Sequence, residues 1–424
     1  MRTEAVQREE GATSSSGQAR ELIGHDKQKV HSKWWLMSLF AALVPFGLSL
    51  GISMNPLTPF MKSDPEWDPA YSEQDTALLD GAMLAPSILI PVVIGIAIDA
   101  AWSVNLSLLV CLVGAVMGSF FVALGIAWHS FGLALTGRVV GGFCFGSIFV
   151  VADIIAAQFN RRRKATTFAV MGAVKTIAIA MNTYWANSFT ATTLAGDYEK
   201  MNDVLLIASL VCLGIGFLWS PLVSSVEMDD SVKRRSWRWH ISWPMWALTL
   251  SAMITGVFAS SFFFESHSWS FATMLVSTVV ISPSLGFWMD TTDRSQNGSL
   301  AVTSVLISAT WILLLGQVLF KIFSLEWGLA GLAVGVMPML LRCAVTQVSP
   351  RDNFGTSFGL IEGAGFLTAS LVRDSVPPHL LNQLVFLAAN LVILTYVMYK
   401  VSAKWGVVSG RVEQLIEPLQ ARGA

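Results

Sequence analysis

Apolar runs of roughly 20 residues follow one another from Trp34 to Lys400, separated by short polar breaks. That repetition decides the fold class. A run of this length, at about 1.5 Å per residue, crosses the ~30 Å hydrocarbon core of a bilayer as an α-helix. Lipid offers backbone groups no hydrogen bonds, so a chain of such runs folds as an all-α membrane bundle. Twelve spans are predicted, at 34–53, 76–99, 102–127, 130–157, 166–190, 202–225, 243–264, 268–289, 299–320, 325–348, 355–373 and 379–400. Charged side chains make up only 13% of the 424 residues, about half the share of a soluble domain.

Several function classes fall away at this level. The net charge of −1 gives no basic field for nucleic acid. Cys111, Cys144, Cys212 and Cys343 all lie in apolar runs and read as packed thiols, and the histidines are scattered. No metal site or cofactor is therefore expected. No nucleophile, base and third group converge, so no catalytic residues are assigned and the chain is not read as an enzyme. A phosphate-binding loop of the Gly-x-x-x-x-Gly-Lys-Ser/Thr kind is absent from the sequence, which argues against ATP-driven pumping.

Orientation follows from where Lys and Arg fall. The polar tail at 1–33 reads as disordered, and the first span as an uncleaved signal anchor. One side of the membrane collects the tail cations, the run Arg161 to Lys164, and Lys233, Arg234, Arg235 and Arg238. The other side holds only Lys62, Lys200, Lys321 and Arg373. Both termini are accordingly placed in the cytosol, with a cytosolic tail at 403–424. The cytosolic linker at 227–242 splits the spans six and six, into halves at 34–226 and 243–402. A weak echo supports the split. "PVVIGIAIDAAWS" ends span two and "PSLGFWMDTTDR" ends span eight, each reading Pro, Gly, three residues, Asp at the cytosolic exit. Two such halves fit a rocking secondary transporter with a central site.

At these residues the chain resembles the major facilitator superfamily. Its loop signature, Gly-x-x-x-Asp-Arg-x-Gly-Arg, is similar to Gly95 through Asp99, but Ala100 and Ala101 stand where basic residues follow. Gly286 and Asp290 match in the second half. The resemblance implies that Asp99, Asp290 and Asp153, near the cytosolic end of span four, are gating charges. Arg161 to Lys164 are the partners expected for Asp153. A narrower resemblance is to the branch that contains a lysosomal dipeptide transporter. It rests on "NPLTPFMKSD" (55–64), "LALTGRVVGGFCFGS" (133–147), "ISPSLGFWMD" (281–290) and "VSPRDNFGTSFGLIEGAGFL" (348–367). This implies a lysosomal or vacuolar membrane, with the plasma membrane open, and allows a glycosylated single-span accessory subunit as partner. It also puts Asn55 among the substrate-binding residues. There are departures: Gly146 stands where that branch has an acid, Lys175 or Thr176 where it has arginine, and Glu362 where it has a neutral amide.

Charges inside the spans are costly and mark functional positions. Arg138 is either a fixed counter-charge between helices or a ligand. Lys175, near the midplane, reads as a cavity-facing site for a carboxylate or other anion, with an internal ion pair as the alternative. Arg342 and Glu362 either neutralise each other, or bind a carboxylate and carry a proton or amine. Glycines 137, 141, 142 and 146, and 355, 359, 363 and 365, predict close helix packing. Pro86, Pro91, Pro283 and Pro338 predict kinks. The sequons at Asn105 and Asn297 fall in cytosolic loops and are not expected to carry glycans.

The sequence thus predicts a transporter for a small polar, carboxylate-bearing solute such as an amino acid or short peptide. The alternative is a transport-inactive receptor or scaffold on the same fold.

Overall fold

The structure, a computed structural model, describes residues 73–100, 102–159, 163–192, 206–218 without 208 and 212, 241–264, 275–292 and 325–374. Within these, the helices are α1 (Glu73–Ala100), α2 (Val104–Ala127), α3 (Phe131–Phe159), α4 (Lys164–Thr192), α5 (Trp243–Phe264), α6 (Ser282–Thr292), α7 (Leu325–Val348) and α8 (Phe354–Asp374). They correspond to predicted spans two to five, seven, eight, ten and eleven, and the shorter apolar helix Ser209–Leu218 falls within predicted span six. The predicted spans at 34–53, 299–320 and 379–400 lie outside the described residues, as do Asn55, both tails and the linker before Ile241.

Hydropathy and polar punctuation explain the element ends. Ser103 caps α2, its Oγ accepting from the Leu106 N–H at 3.3 Å, as a short polar residue does at a helix start. His129, at φ 51°, takes the left-handed conformation that turns the chain from α2 into α3. One expectation is corrected. Span eight is not a uniform α-helix at 268–289: a π-turn at Ser277–Ile281 runs into α6. Pro283 follows at once, and its missing N–H cannot bond the carbonyl four residues back, which accounts for the break in the α ladder.

The helices differ in what surrounds them. In α2, Leu106, Val110, Val113, Met117 and Phe120 are exposed at alternating spacings of four and three, one continuous stripe that fits lipid. In α3, the run from Phe145 to Ala157 is buried on every face. This central position is secured by glycine. A side chain at Gly142 would strike the Met83 carbonyl of α1, and one at Gly137 or Gly118 would strike the facing backbone of α2 or α3. Ser87 adds a clamp, its Oγ donating to the Gly142 carbonyl at 2.9 Å.

The first-half and second-half helices meet along two seams, α1 against α8 and α4 against α6. In the first seam a side chain at Gly95, Gly359 or Gly363 would collide with the backbone at Gly355, Pro91 and Ile88 respectively. The glycine stripe of span eleven is thus a backbone-to-backbone packing surface, as predicted. Gly141 and Gly365 are different, with open space where a Cβ would go.

Candidate functional site

The two loop acids close the end of the bundle that carries Arg163 and Lys164, hereafter the basic end. Asp99, at the end of α1, accepts from the backbone N–H groups of Gly355 (2.8 Å) and Thr356 (2.6 Å) and from the Thr356 hydroxyl (2.6 Å). Asp290, at the end of α6, accepts from the N–H groups of Ala165 (3.1 Å) and Thr166 (2.8 Å) and from the Thr166 hydroxyl (2.6 Å). Each acid caps the N-terminus of a helix in the opposite half, where orphan N–H groups and the helix dipole favour negative charge. The loop basic residues absent from Ala100 and Ala101 are not needed for this contact.

These contacts obey a two-fold relation. Residues 165–168 read Ala-Thr-Thr-Phe and residues 355–358 read Gly-Thr-Ser-Phe, and each tetrad receives the acid of the other half. Phe168 and Phe358 touch, with ring centroids 5.9 Å apart. Equivalent residues in mutual contact must lie on the axis that relates the halves, which in parallel repeats runs along the membrane normal. Phe354 packs on Phe358 at 5.9 Å, and all three rings are buried. An aromatic plug therefore seals the basic end on its axis.

Behind the plug is a layer of charge. Asp153 of α3 is wholly buried, and Arg342 of α7 donates through Nε to both its oxygens at 2.8 Å. Arg342 also binds Glu362 of α8 through Nη2. The expected pairing of Asp153 with Arg161 to Lys164 is replaced by this bond. Depth gives the reason: Asp153 and Arg342 both sit six residues inside the basic ends of their helices, about 9 Å, whereas the basic run lies at the helix end. Arg342 and Glu362 do meet, but as parts of a triad. One guanidinium between two buried carboxylates leaves an excess negative charge, and Lys175 lies within electrostatic reach of all three.

Lys175 of α4 stands higher, about 16 Å from the basic end. Its ammonium lies over the Phe149 ring, 3.9 Å from the centroid. This is a cation–π contact of the kind that holds a cation without neutralising it. Lys175 is partly exposed and makes no ion pair among the described residues. Phe149 belongs to a second aromatic cluster, with Phe145 at 5.6 Å and Phe366 of α8 at 6.3 Å. Phe149 precedes Asp153 by four residues and Phe366 follows Glu362 by four, so this cluster covers the charged layer one turn further in. Arg138 lies apart, buried between α3 and α1 with Nη1 on the Met83 Sδ at 3.1 Å. The structure thus assembles Asp153, Lys175, Arg342 and Glu362, and separates Arg138 from them. Thr166, Thr356 and the two aromatic clusters have no counterpart in the sequence reading. The repeated Thr and Phe after each basic-end loop were the available signal.

No family model and no curated protein matches the sequence. Solved structures do. The human organic anion transporter MFSD10 aligns over 88% of this chain and 99% of its own, with a TM-score of 0.58 at 14% identity. The fucose transporter FucP in the outward conformation aligns over 86% and 98%, with a TM-score of 0.57 at 11% identity. A variant of the E. coli fucose:proton symporter aligns over 85% and 98%, with a TM-score of 0.53 at 11% identity. The chain has the major facilitator fold of a multi-pass membrane protein.

Proposed function

We propose that the chain is an alternating-access secondary transporter for a small, carboxylate-bearing solute, with the basic end facing the cytosol. The observation that carries this is Lys175. A midplane ammonium that leans on an aromatic face and has no ion pair among the described residues is prepared for an incoming anion. The caps at Asp99 and Asp290 are hydrogen bonds to helix ends, which can break and re-form as the halves rock. They support transport over the scaffold reading, since the gate is complete on both sides of the axis. The description of MFSD10 as an organic anion transporter agrees with a carboxylate ligand, and the outward conformation of FucP with a closed basic end. Resemblance to the dipeptide-transporter branch extends the proposal to amino acids or short peptides, an acidic-organelle membrane and a glycosylated single-span subunit. Arg138, away from the charged layer, serves as a fixed counter-charge.

Purified protein screened by thermal shift against dipeptides, amino acids, organic acids and sugars tests the ligand class, followed by flux in proteoliposomes. Carboxylates are expected to stabilise and to move. A response to neutral sugars alone would overturn the carboxylate reading, and absence of flux for every class would favour the scaffold.

A further inference from the structure

Among the described residues, the four charges of the central layer divide evenly between the halves. Asp153 and Lys175 belong to α3 and α4, Arg342 and Glu362 to α7 and α8. Each half therefore carries one acid and one base. In the closed arrangement they are not used that way: Arg342 holds both acids, and Lys175 is left on Phe149.

Opening the basic end separates α3 and α4 from α7 and α8. Arg342 and Glu362 share a half and remain together, whereas the bond from Arg342 to Asp153 must break. A carboxylate in a site this enclosed is costly to leave without a counter-charge. Among the described residues of its own half, the cation that acts on Asp153 is Lys175. Phe149 is one turn from Asp153 on the same face of α3, so the ammonium over that ring is about 6 Å along the helix from the carboxylate. A four-carbon stem covers that distance by changing rotamer.

We propose that Asp153 exchanges Arg342 for Lys175 when the basic end opens, and thereby displaces a solute carboxylate from Lys175 into the cytosol. The proposal rests on the reading of Lys175 as the carboxylate site. With the end closed, Arg342 occupies Asp153 and Lys175 is available. With the end open, Asp153 competes for Lys175 from within the protein. Among the described residues the charged groups facing Asp153 are Arg342, Glu362 and Lys175, and the exchange is among these. It makes affinity sided without driving accumulation, because the empty carrier's own equilibrium shifts by the same factor.

Lys175 can report the exchange without any solute. The full chain is treated with a trace of isotopically labelled acetic anhydride, and Lys175 acetylation is read by mass spectrometry. An ion-paired ammonium holds its proton and reacts more slowly, here by about tenfold. Wild type is compared with Asp99→Asn/Asp290→Asn, which loosens the basic end, and with the same pair plus Asp153→Asn. Slow labelling in the loosened variant, restored by Asp153→Asn, is the expected result. Equal labelling in the loosened variant with and without Asp153 would overturn the exchange. If the loosened variant fails to fold, Gly95→Leu opens the same end by collision with Gly355 and serves in the same comparison. Flux is scored separately. A protein that shows the exchange but moves no carboxylate retains the ion-pair switch and loses the carboxylate reading.

Discussion

Phe168 and Phe358 occupy the same place in their respective halves and touch each other on the axis between them, 5.9 Å from centroid to centroid. Residues on either side, Thr166 and Thr356, each receive the loop acid of the other half. The basic end is therefore held by one contact set used twice.

That duplication predicts equal effects. Asp99→Ala and Asp290→Ala each remove a charged acceptor from two N–H groups and a hydroxyl, and each hydrogen bond to a charged group contributes about 1.5–3 kcal/mol. Each variant should raise labelling of a cysteine placed at Thr167 by a membrane-impermeant maleimide, and by a similar factor. A large effect from one acid and none from the other would show that the two seams carry different loads.

The aromatic plug gives a second prediction. Phe358 is fully buried and contacts both Phe354 and Phe168, so Phe358→Ala should cost about 3–5 kcal/mol. Phe168→Ala should cost less when Phe358 is already Ala, because their shared contact is lost only once. A double-mutant cycle on thermal unfolding in detergent measures that coupling. Strict additivity would show that the rings do not support each other.

How far the sequence reached is seen in particular elements. Spans predicted at 243–264 and 325–348 coincide with α5 and α7, because hydropathy against lipid is a strong one-dimensional signal. Glycine stripes in spans four and eleven were legible as packing faces for the same reason. Hydropathy does not show azimuth, so it did not reveal that Asp153 faces Arg342 across the halves. Nor did depth reveal it, since Asp153 lies four residues from the span end predicted at 157 and reaches the six-residue depth of Arg342 only with the observed end at Phe159. The π-turn before Pro283 was not legible, because a proline states that the α ladder is interrupted without stating how the carbonyls rearrange.

The triad makes the two buried carboxylates unequal to their cation. Glu362→Gln leaves Arg342 bound to Asp153, and the amide still offers an oxygen to the guanidinium. It should express near normally. Arg342→Gln strands two buried acids, where breaking even one buried pair costs roughly 3–5 kcal/mol. Its expression should collapse, and Asp153→Asn with Glu362→Gln in the same molecule should restore it. Fluorescence-detected size-exclusion chromatography of tagged protein reads all of these. Collapse of Glu362→Gln with survival of Arg342→Gln would invert the assignment.

Lys175 is expected to behave in the opposite way to Arg342. Its contact is a ring face and not an ion pair among the described residues, and a desolvated cation–π contact contributes about 2 kcal/mol, less than a broken buried pair costs. Lys175→Ala should therefore fold and express close to wild type while losing uptake of any carboxylate solute that the thermal-shift screen identifies. Lys175→Arg keeps the charge, but its planar fork replaces a compact ammonium over Phe149, so partial uptake with a raised KM is the expected outcome. The discriminating comparison is between stability and flux in the same preparation. Loss of both in Lys175→Ala, with recovery when Asp153 is also replaced by Asn, would show that Lys175 is already an internal counter-ion in the closed state and not a vacant site for solute.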